Sequence, residues 1–301
     1  MNIILTQVGS KKSPYIIHCI KQLLFFGNNK IFIISNKFHK NLLKKKKLLK
    51  KIIFIDEKEI VKKKEHIIFL KNTGLDKKFY DKFWVKTTER FFFIENICTA
   101  KKLENIIHIE TDNLIYENLN KFEKILQKFR VLFNIANHNW CVPNIIYFKC
   151  YKEVKLLTNF IYSKNKFFFL KNNLNDQELC IQYFNKYKSS KIINFPIVSK
   201  HLNVKNEYKK DIFFHKNFKL FNGIFDPAPI GQFLDGVDNN IHKLKGSFLN
   251  KNSIYDVEKL NIKFIKTKKN KKPLIVLNNK KKIPILNLHI HSKNLKKFIS
   301  Y

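Results

Sequence analysis

Glu110 and Asp112 are separated by one residue and stand directly behind the apolar run IIHI, in a chain with only 23 acidic residues against 59 basic ones. In a strand, residues i and i+2 point the same way, so both carboxylates would face one side of a sheet edge. Two hard oxygen donors at the carboxyl end of a strand suit a divalent cation such as Mn²⁺ or Mg²⁺ that bridges a diphosphate. A solvated turn or a helix N-cap at Asp112 fits the same residues, because NLIYENL follows.

Three later stretches also carry chemistry. NDQELCIQYFNKY (175–187) opens with Asp176 and Gln177, while Asn175 and Glu178 have the spacing of a capping box. FNGIFDPAPIGQFLDGVDNNIH (221–242) gathers three of the chain's seven glycines and two of its seven prolines around Asp226, Gln232, Asp235 and Asp238. Gly and Pro concentrate where backbone geometry is special, as at a binding loop or an elaborate surface turn. LNLHIHSKNLKKF (286–298) puts His289 and His291 on one strand face with Lys293 just beyond, a pattern that a surface strand with two incidental histidines also gives.

The elements that must position these groups alternate in type. Apolar segments at 2–9, 30–35, 51–56, 66–70 and 105–110 read as strands, and a helix ending at Gly27 separates the first two. A second helix, with Phe91, Ile94 and Ile97 at three-residue steps, precedes the last. Strands alternating with helices imply a mostly parallel sheet with helices on both faces. Beyond it, strands are expected at 131–136 and 144–149 and helices at 151–164 and 174–188. Residues 200–219 read as loop, and 263–284 as hairpin-like strands with a Lys-rich turn. With 301 residues and no linker, the expectation is one domain, residues 1–115 binding nucleotide and 116–301 binding acceptor.

The motifs, in this order, resemble the nucleotide-sugar glycosyltransferases of the GT-A fold, whose DxD motif ends a strand after an apolar run. Here the motif is the ExD variant Glu110-Thr111-Asp112. The resemblance implies a GT-A, Rossmann-like α/β fold and transfer of a sugar from a nucleoside diphosphate sugar, UDP-linked by preference, to a hydroxyl on a carbohydrate or glycolipid. It implies Mn²⁺ or Mg²⁺ held by Asp112 and His291, with Glu110 and His289 as further ligands. Glu110 could instead hold the ribose. Thr6, Gln7 and Val8 would cradle the base, Arg90 would approach the donor, and Lys293 would bind phosphate. Asp176 and Gln177 would lie beside the sugar, which hints at retention of configuration. Asp226 or Asp235 would serve an inverting enzyme as base.

The net charge of +36 rests on lysine, since Arg90 and Arg130 are the only arginines. Arginine is the usual reader of guanine and phosphate, so the charge points to AT-rich coding more than to specific nucleic-acid binding. It leaves room for contact with an anionic membrane surface. The rival functions are a basic nucleic-acid-binding protein and a metal-dependent nucleotidyltransferase. QVGSKKSP lacks the glycines of a dinucleotide or P-loop site. Five scattered cysteines without a CxxC pair, and no leader or membrane-span pattern, read as a cytoplasmic protein, with peripheral membrane contact as the further option.

Overall fold

The computed structural model describes residues 1–9, 12–167, 172–237, 253–267 and 270–301. Asp238, singled out above, lies outside the described residues, as does the end of that stretch to residue 242.

The chain forms strands β1 (Asn2–Gln7), β2 (Ile31–Ser35), β3 (Ile53–Asp56), β4 (Glu104–Glu110), β5 (Asn113–Ile115), β6 (Val131–Phe133), β7 (Ile135–Asn137) and β8 (Trp140–Cys141). There follow β9 (Ile145–Cys150), β10 (Ile192–Asn194), β11 (Ile224–Phe225), β12 (Ile262–Lys266), β13 (Lys271–Val276) and β14 (Lys282–His289). The helices are α1 (Ile16–Phe25), α2 (Lys37–Lys45), α3 (Lys64–Asn72), α4 (Phe83–Ala100), α5 (Glu123–Leu126), α6 (Tyr151–Asn165), α7 (Asp176–Tyr187), α8 (Phe218–Phe221) and α9 (Pro229–Asp235). None of the described helices is long and apolar enough to cross a membrane.

The central sheet has seven strands in the order β10-β6-β9-β4-β1-β2-β3. All neighbours are parallel except those of β9, which runs antiparallel to both β4 and β6. The reversal has a local cause. The β7–β8 hairpin follows β6 at the carboxyl edge, so β9 starts from that edge and needs no crossover helix. The expected mostly parallel α/β sheet is therefore present, with one strand inverted.

The chain leaves β1 through α1 toward β2 and β3, then returns through α3 and α4 to β4 on the other side of β1. Right-handed crossovers in opposite directions put α1 and α4 on opposite faces and open a crevice between the carboxyl ends of β1 and β4. That crevice is where Gln7 and Glu110 end their strands. A second sheet, β11-β14-β13-β12 with β5 paired to β14, carries the late histidines to the same edge. β12 and β13 form the expected hairpin.

One strand expectation fails. Residues 66–70 lie within the helix α3, whose buried face is His66, Phe69 and Asn72 at three-residue steps. A five-residue apolar run is too short for periodicity to separate strand from helix.

His39 ties β2 and α2 to the loop that follows β1. It is fully buried; its Nε2 accepts from the Ser13 amide at 3.0 Å, and Nδ1 meets Ser35 Oγ at 2.8 Å. Ser35 Oγ donates onward to the Gln7 carbonyl at 2.7 Å, so the imidazole proton sits on Nδ1. A proton added at Nε2 would face the Ser13 N–H. Burial lowers the His39 pKa to about 4. The folded value is depressed below the unfolded one, so this contribution to stability is full above about pH 6.5 and is lost as pH falls through about 4. We expect urea unfolding to show a loss on the order of 2 kcal/mol across that window. His39→Gln keeps a donor and an acceptor without titrating, and should remove that part of the loss. The same pH dependence in both proteins would refute the assignment.

Candidate active site

Both acids of the ExD motif sit at the end of β4 and face the crevice as expected. His289, at the end of β14, approaches them both: its Nε2 is 3.0 Å from Glu110 Oε2 and 3.3 Å from Asp112 Oδ1. β14 reaches this position by pairing antiparallel with β5, which opposes His289 to Asn113, the residue after Asp112. Lys293 Nζ donates to Asp112 Oδ2, and Arg90 Nη1 donates to Glu110 Oε1. Arg90 Nη2 also donates to Asp176 Oδ2 at 2.8 Å, and Thr87 Oγ1 donates to Asp176 Oδ1 at 3.1 Å.

Burial works against charge throughout this cluster, yet at Glu110, Asp112 and His289 the local pairs overcome it. Arg90 and His289 hold Glu110 below the usual carboxylate range, and Lys293 with His289 does the same for Asp112. The two acids in turn raise the His289 pKa to about 10. At Asp176 burial wins over Arg90 and lifts the carboxyl to about 6.

Donor atoms of Glu110, Asp112 and His289 lie within 4.8 Å of one another, the one cluster of His, Cys, Asp or Glu among the described residues with the spacing to hold a metal ion. Two ligands about 2.2 Å from one ion stand no more than roughly 4.4 Å apart. A small closure therefore suffices, and two carboxylates with one imidazole suit Mn²⁺. The residues fit a divalent metal. Of the two late histidines, the structure brings His289 to the acids. The expectation favoured His291 as ligand, with His289 as its replacement. His291 lies behind, its Nε2 3.3 Å from His289 Nδ1 and its Nδ1 2.9 Å from Gln232 Nε2. The turn after β14 carries its side chain past the acids toward α9.

Asp226 and Asp235 were expected as candidate bases, and neither lines the cleft. Asp226 is fully enclosed. Its carboxylate accepts from the amides of Ile230 at 3.0 Å, Gly231 at 2.9 Å and His289 at 3.1 Å. It therefore ties α9 to β14 and seats the backbone of His289. Its carbonyl accepts from the side-chain amides of Asn134, Asn144 and Asn287, and Asn287 also donates to Asn113. The GIFDPAPIGQ stretch is thus a knot that locks β14 beside β5. Gly231 has no room for a side chain, since a Cβ there would stand 2.0 Å from the His289 carbonyl oxygen. Asp235 accepts from Ser292 Oγ and from Lys297 Nζ.

The other sequence candidates converge. Thr6, Gln7, Val8, Arg90, Asp176, Gln177, Gln232, His291 and Lys293 all line one cavity of about 550 Å³. Asn175 and Glu178 also form the capping box, so Asp176 opens α7 and faces the site at once. Sequence reasoning missed Tyr15, Thr87, Trp84 and Trp140 on the cavity wall. The scarcity of tryptophan, two residues in the whole chain, was the available signal. The two arginines are both committed within the protein, Arg130 to Glu153 at 2.8 Å.

No protein-family profile matches the sequence, and no curated protein matches it. Solved structures with a similar layout include mouse xyloside xylosyltransferase 1, 11% identical over 70% of this chain and 91% of that one, with a TM-score of 0.44. The galactosyltransferase LgtC, solved with donor and acceptor sugar analogues, is 11% identical over 70% of this chain and 78% of that one, with a TM-score of 0.44. A cytidylyltransferase from Leptospira borgpetersenii is 8% identical over 65% of this chain and 75% of that one, with a TM-score of 0.37.

Proposed function

We propose that the protein is a metal-dependent glycosyltransferase of the GT-A kind, moving a sugar from a nucleoside diphosphate sugar, UDP-linked by preference, to a hydroxyl acceptor. The observation that carries this reading is the Glu110–Asp112–His289 cluster at the crevice between β1 and β4, with Lys293 against Asp112. Glu110, Asp112 and His289 would hold a divalent metal there, which would supply Lewis-acid neutralisation of charge on the diphosphate. Thr6, Gln7 and Val8, at and just after the end of β1, line the cavity and would meet the nucleoside. Lys293 is placed to exchange Asp112 for a phosphate oxygen. Arg90 holds Glu110 and Asp176 in register, and Gln177 beside them offers an amide to sugar hydroxyls.

Retention of configuration is the better-supported outcome. Among the described residues the cavity carboxylates are Asp81, Glu110, Asp112 and Asp176. Each is engaged by a cation, Asp81 by Lys86 at 2.5 Å. An inverting enzyme needs a carboxylate ready to accept the acceptor proton.

Thermal unfolding with UDP, GDP and CMP, each with Mn²⁺ or with EDTA, tests the reading. A nucleoside diphosphate should stabilise the protein only with metal present, by about 2.7 kcal/mol at 100 times its Kd. Equal stabilisation in EDTA would overturn it. With a nucleotide sugar and acceptor, release of nucleoside diphosphate supports glycosyl transfer. Consumption of nucleoside triphosphate with release of pyrophosphate would assign nucleotidyl transfer instead.

A further inference from the structure

The central sheet ends on two edges that are built differently. β10 is three residues long and buried throughout. β3 is the other edge. β2 pairs with one side of it, and no hydrogen bond from a described residue reaches the backbone of Ile53, Phe54 or Ile55 on the other side. Extended backbone runs from Ile52 to Asp56, and Ile53 within it is 41% exposed. A row of unpaired amides and carbonyls beside apolar side chains is a template for another strand. Edges are commonly blunted by proline, a bulge or a charge inside the strand, and residues 52–55, IIFI, hold no proline or charge and pair with β2 in unbroken register. The charges stand at the two ends instead, and they differ in sign. Lys50 and Lys51 precede the stretch, and Asp56 and Glu57 close it, in a chain where acids are scarce. Neither lysine forms an ion pair with a described residue.

We infer that β3 pairs antiparallel with β3 of a second copy of this chain, joining two seven-stranded sheets into one. The extended stretch 52–56 is centred on Phe54. A two-fold axis there sets Phe54 against its own copy, Ile53 opposite Ile55, and Lys51 opposite Glu57 at both ends. Within its own chain Glu57 gives Oε2 to the Gly9 amide at 2.8 Å, which leaves Oε1 for the lysine. A parallel pairing in register would set lysine beside lysine and acid beside acid, so the charges select the antiparallel one. The contact is isologous and closes on itself, and assembly stops at a dimer. Repulsion between two chains of charge +36 opposes association. At about 0.15 M salt that repulsion is screened over about 8 Å, whereas directly opposed side chains stand roughly 5 Å apart and still attract. β2 and β3 lie between the junction and β1, so the crevice between β1 and β4 is not part of the contact.

Sedimentation velocity of the full chain between about 1 and 200 μM, in about 0.15 M salt, should show a dimer whose fraction grows with concentration. Ile53→Lys places a charge inside the edge at a side chain that is already exposed, and should weaken the dimer about tenfold or more with circular dichroism unchanged. Lys51→Glu, just outside the strand, is the second variant, and should weaken it about threefold or more by setting acid against acid. The register has its own readout. Ile53→Cys combined with Ile55→Cys sets thiols opposite each other, with Cα atoms about 4.5–5.5 Å apart, within reach of a disulfide. Oxidised glutathione should convert that variant to a covalent dimer on non-reducing electrophoresis. Leu156→Cys, equally exposed but on α6, should give none. A monomer throughout the concentration range, or a dimer that neither Ile53→Lys nor Lys51→Glu weakens, would overturn the inference. Cross-linking no stronger at 53 and 55 than at 156 would do the same.

Discussion

Asp112→Asn should lower Mn²⁺ affinity by more than about 100-fold, beyond the 10–100-fold typical of a change in the groups around a metal ligand. The substitution removes one of two anionic donors from the cluster and also the partner of Lys293. Turnover should fall with it, by about 10²–10³-fold or more, the range seen when a group that stabilises transition-state charge is deleted. The fold should survive. Asp112 is held by side chains at the crevice edge, whereas the backbone of β14 is seated independently by Asp226. Manganese titration by electron paramagnetic resonance, with circular dichroism as the control, checks the first part. Unchanged Mn²⁺ affinity in a folded variant would remove Asp112 from the ligand set.

The second large effect belongs to stability. Arg90 is 5% exposed and is the cation between Glu110 and Asp176. Arg90→Met keeps much of the side-chain volume but leaves the buried Asp176 carboxylate without its cation and Glu110 with His289 alone. Breaking a buried ion pair from one side costs about 3–5 kcal/mol. Urea unfolding at pH 7 should show that loss. Part of it should return as pH is lowered, and already above 6, because losing Arg90 pushes the Asp176 carboxyl above the value of about 6 that it has beside the arginine, and the protonated acid carries no charge. Arg90→Lys should cost less, since it keeps the charge and loses the forked geometry. Stability within about 1 kcal/mol of the parent in Arg90→Met would mean that the triad is not a structural unit.

What the sequence revealed and what it withheld follow a physical division. The end of β4 was legible because an apolar run followed by Glu110 and Asp112 is a local pattern, and alternation placed both acids on one side. His289 and Lys293 were legible as types beyond an alternating strand. Choosing His289 over His291 was not, because the choice turns on where β14 stops pairing with β5. Asp226 was read as a possible base since a carboxylate among Gly and Pro looks functional. Its partners are the amides of Ile230 and Gly231 nearby and of His289, 63 residues away, and no local pattern records that last bond. The inverted β9 escaped for a similar reason, since an apolar strand reads the same in either direction.

The pairing of β14 with β5 also sets an order of events. Asn113 and Asn287, hydrogen-bonded across this pair, are 174 residues apart in the chain. By contrast, β1, β2 and β3 are joined by short helical crossovers and can associate while the rest is still a coil. Loop-closure entropy must be met before a distant pairing is rewarded, so contacts of this span form slowly. The pairing that carries the imidazole to the two carboxylates is therefore among the last contacts expected to form. If the cluster chelates a metal, that competence comes at the end of folding, and would mark a finished molecule where helical signal or collapse would mark only an early one.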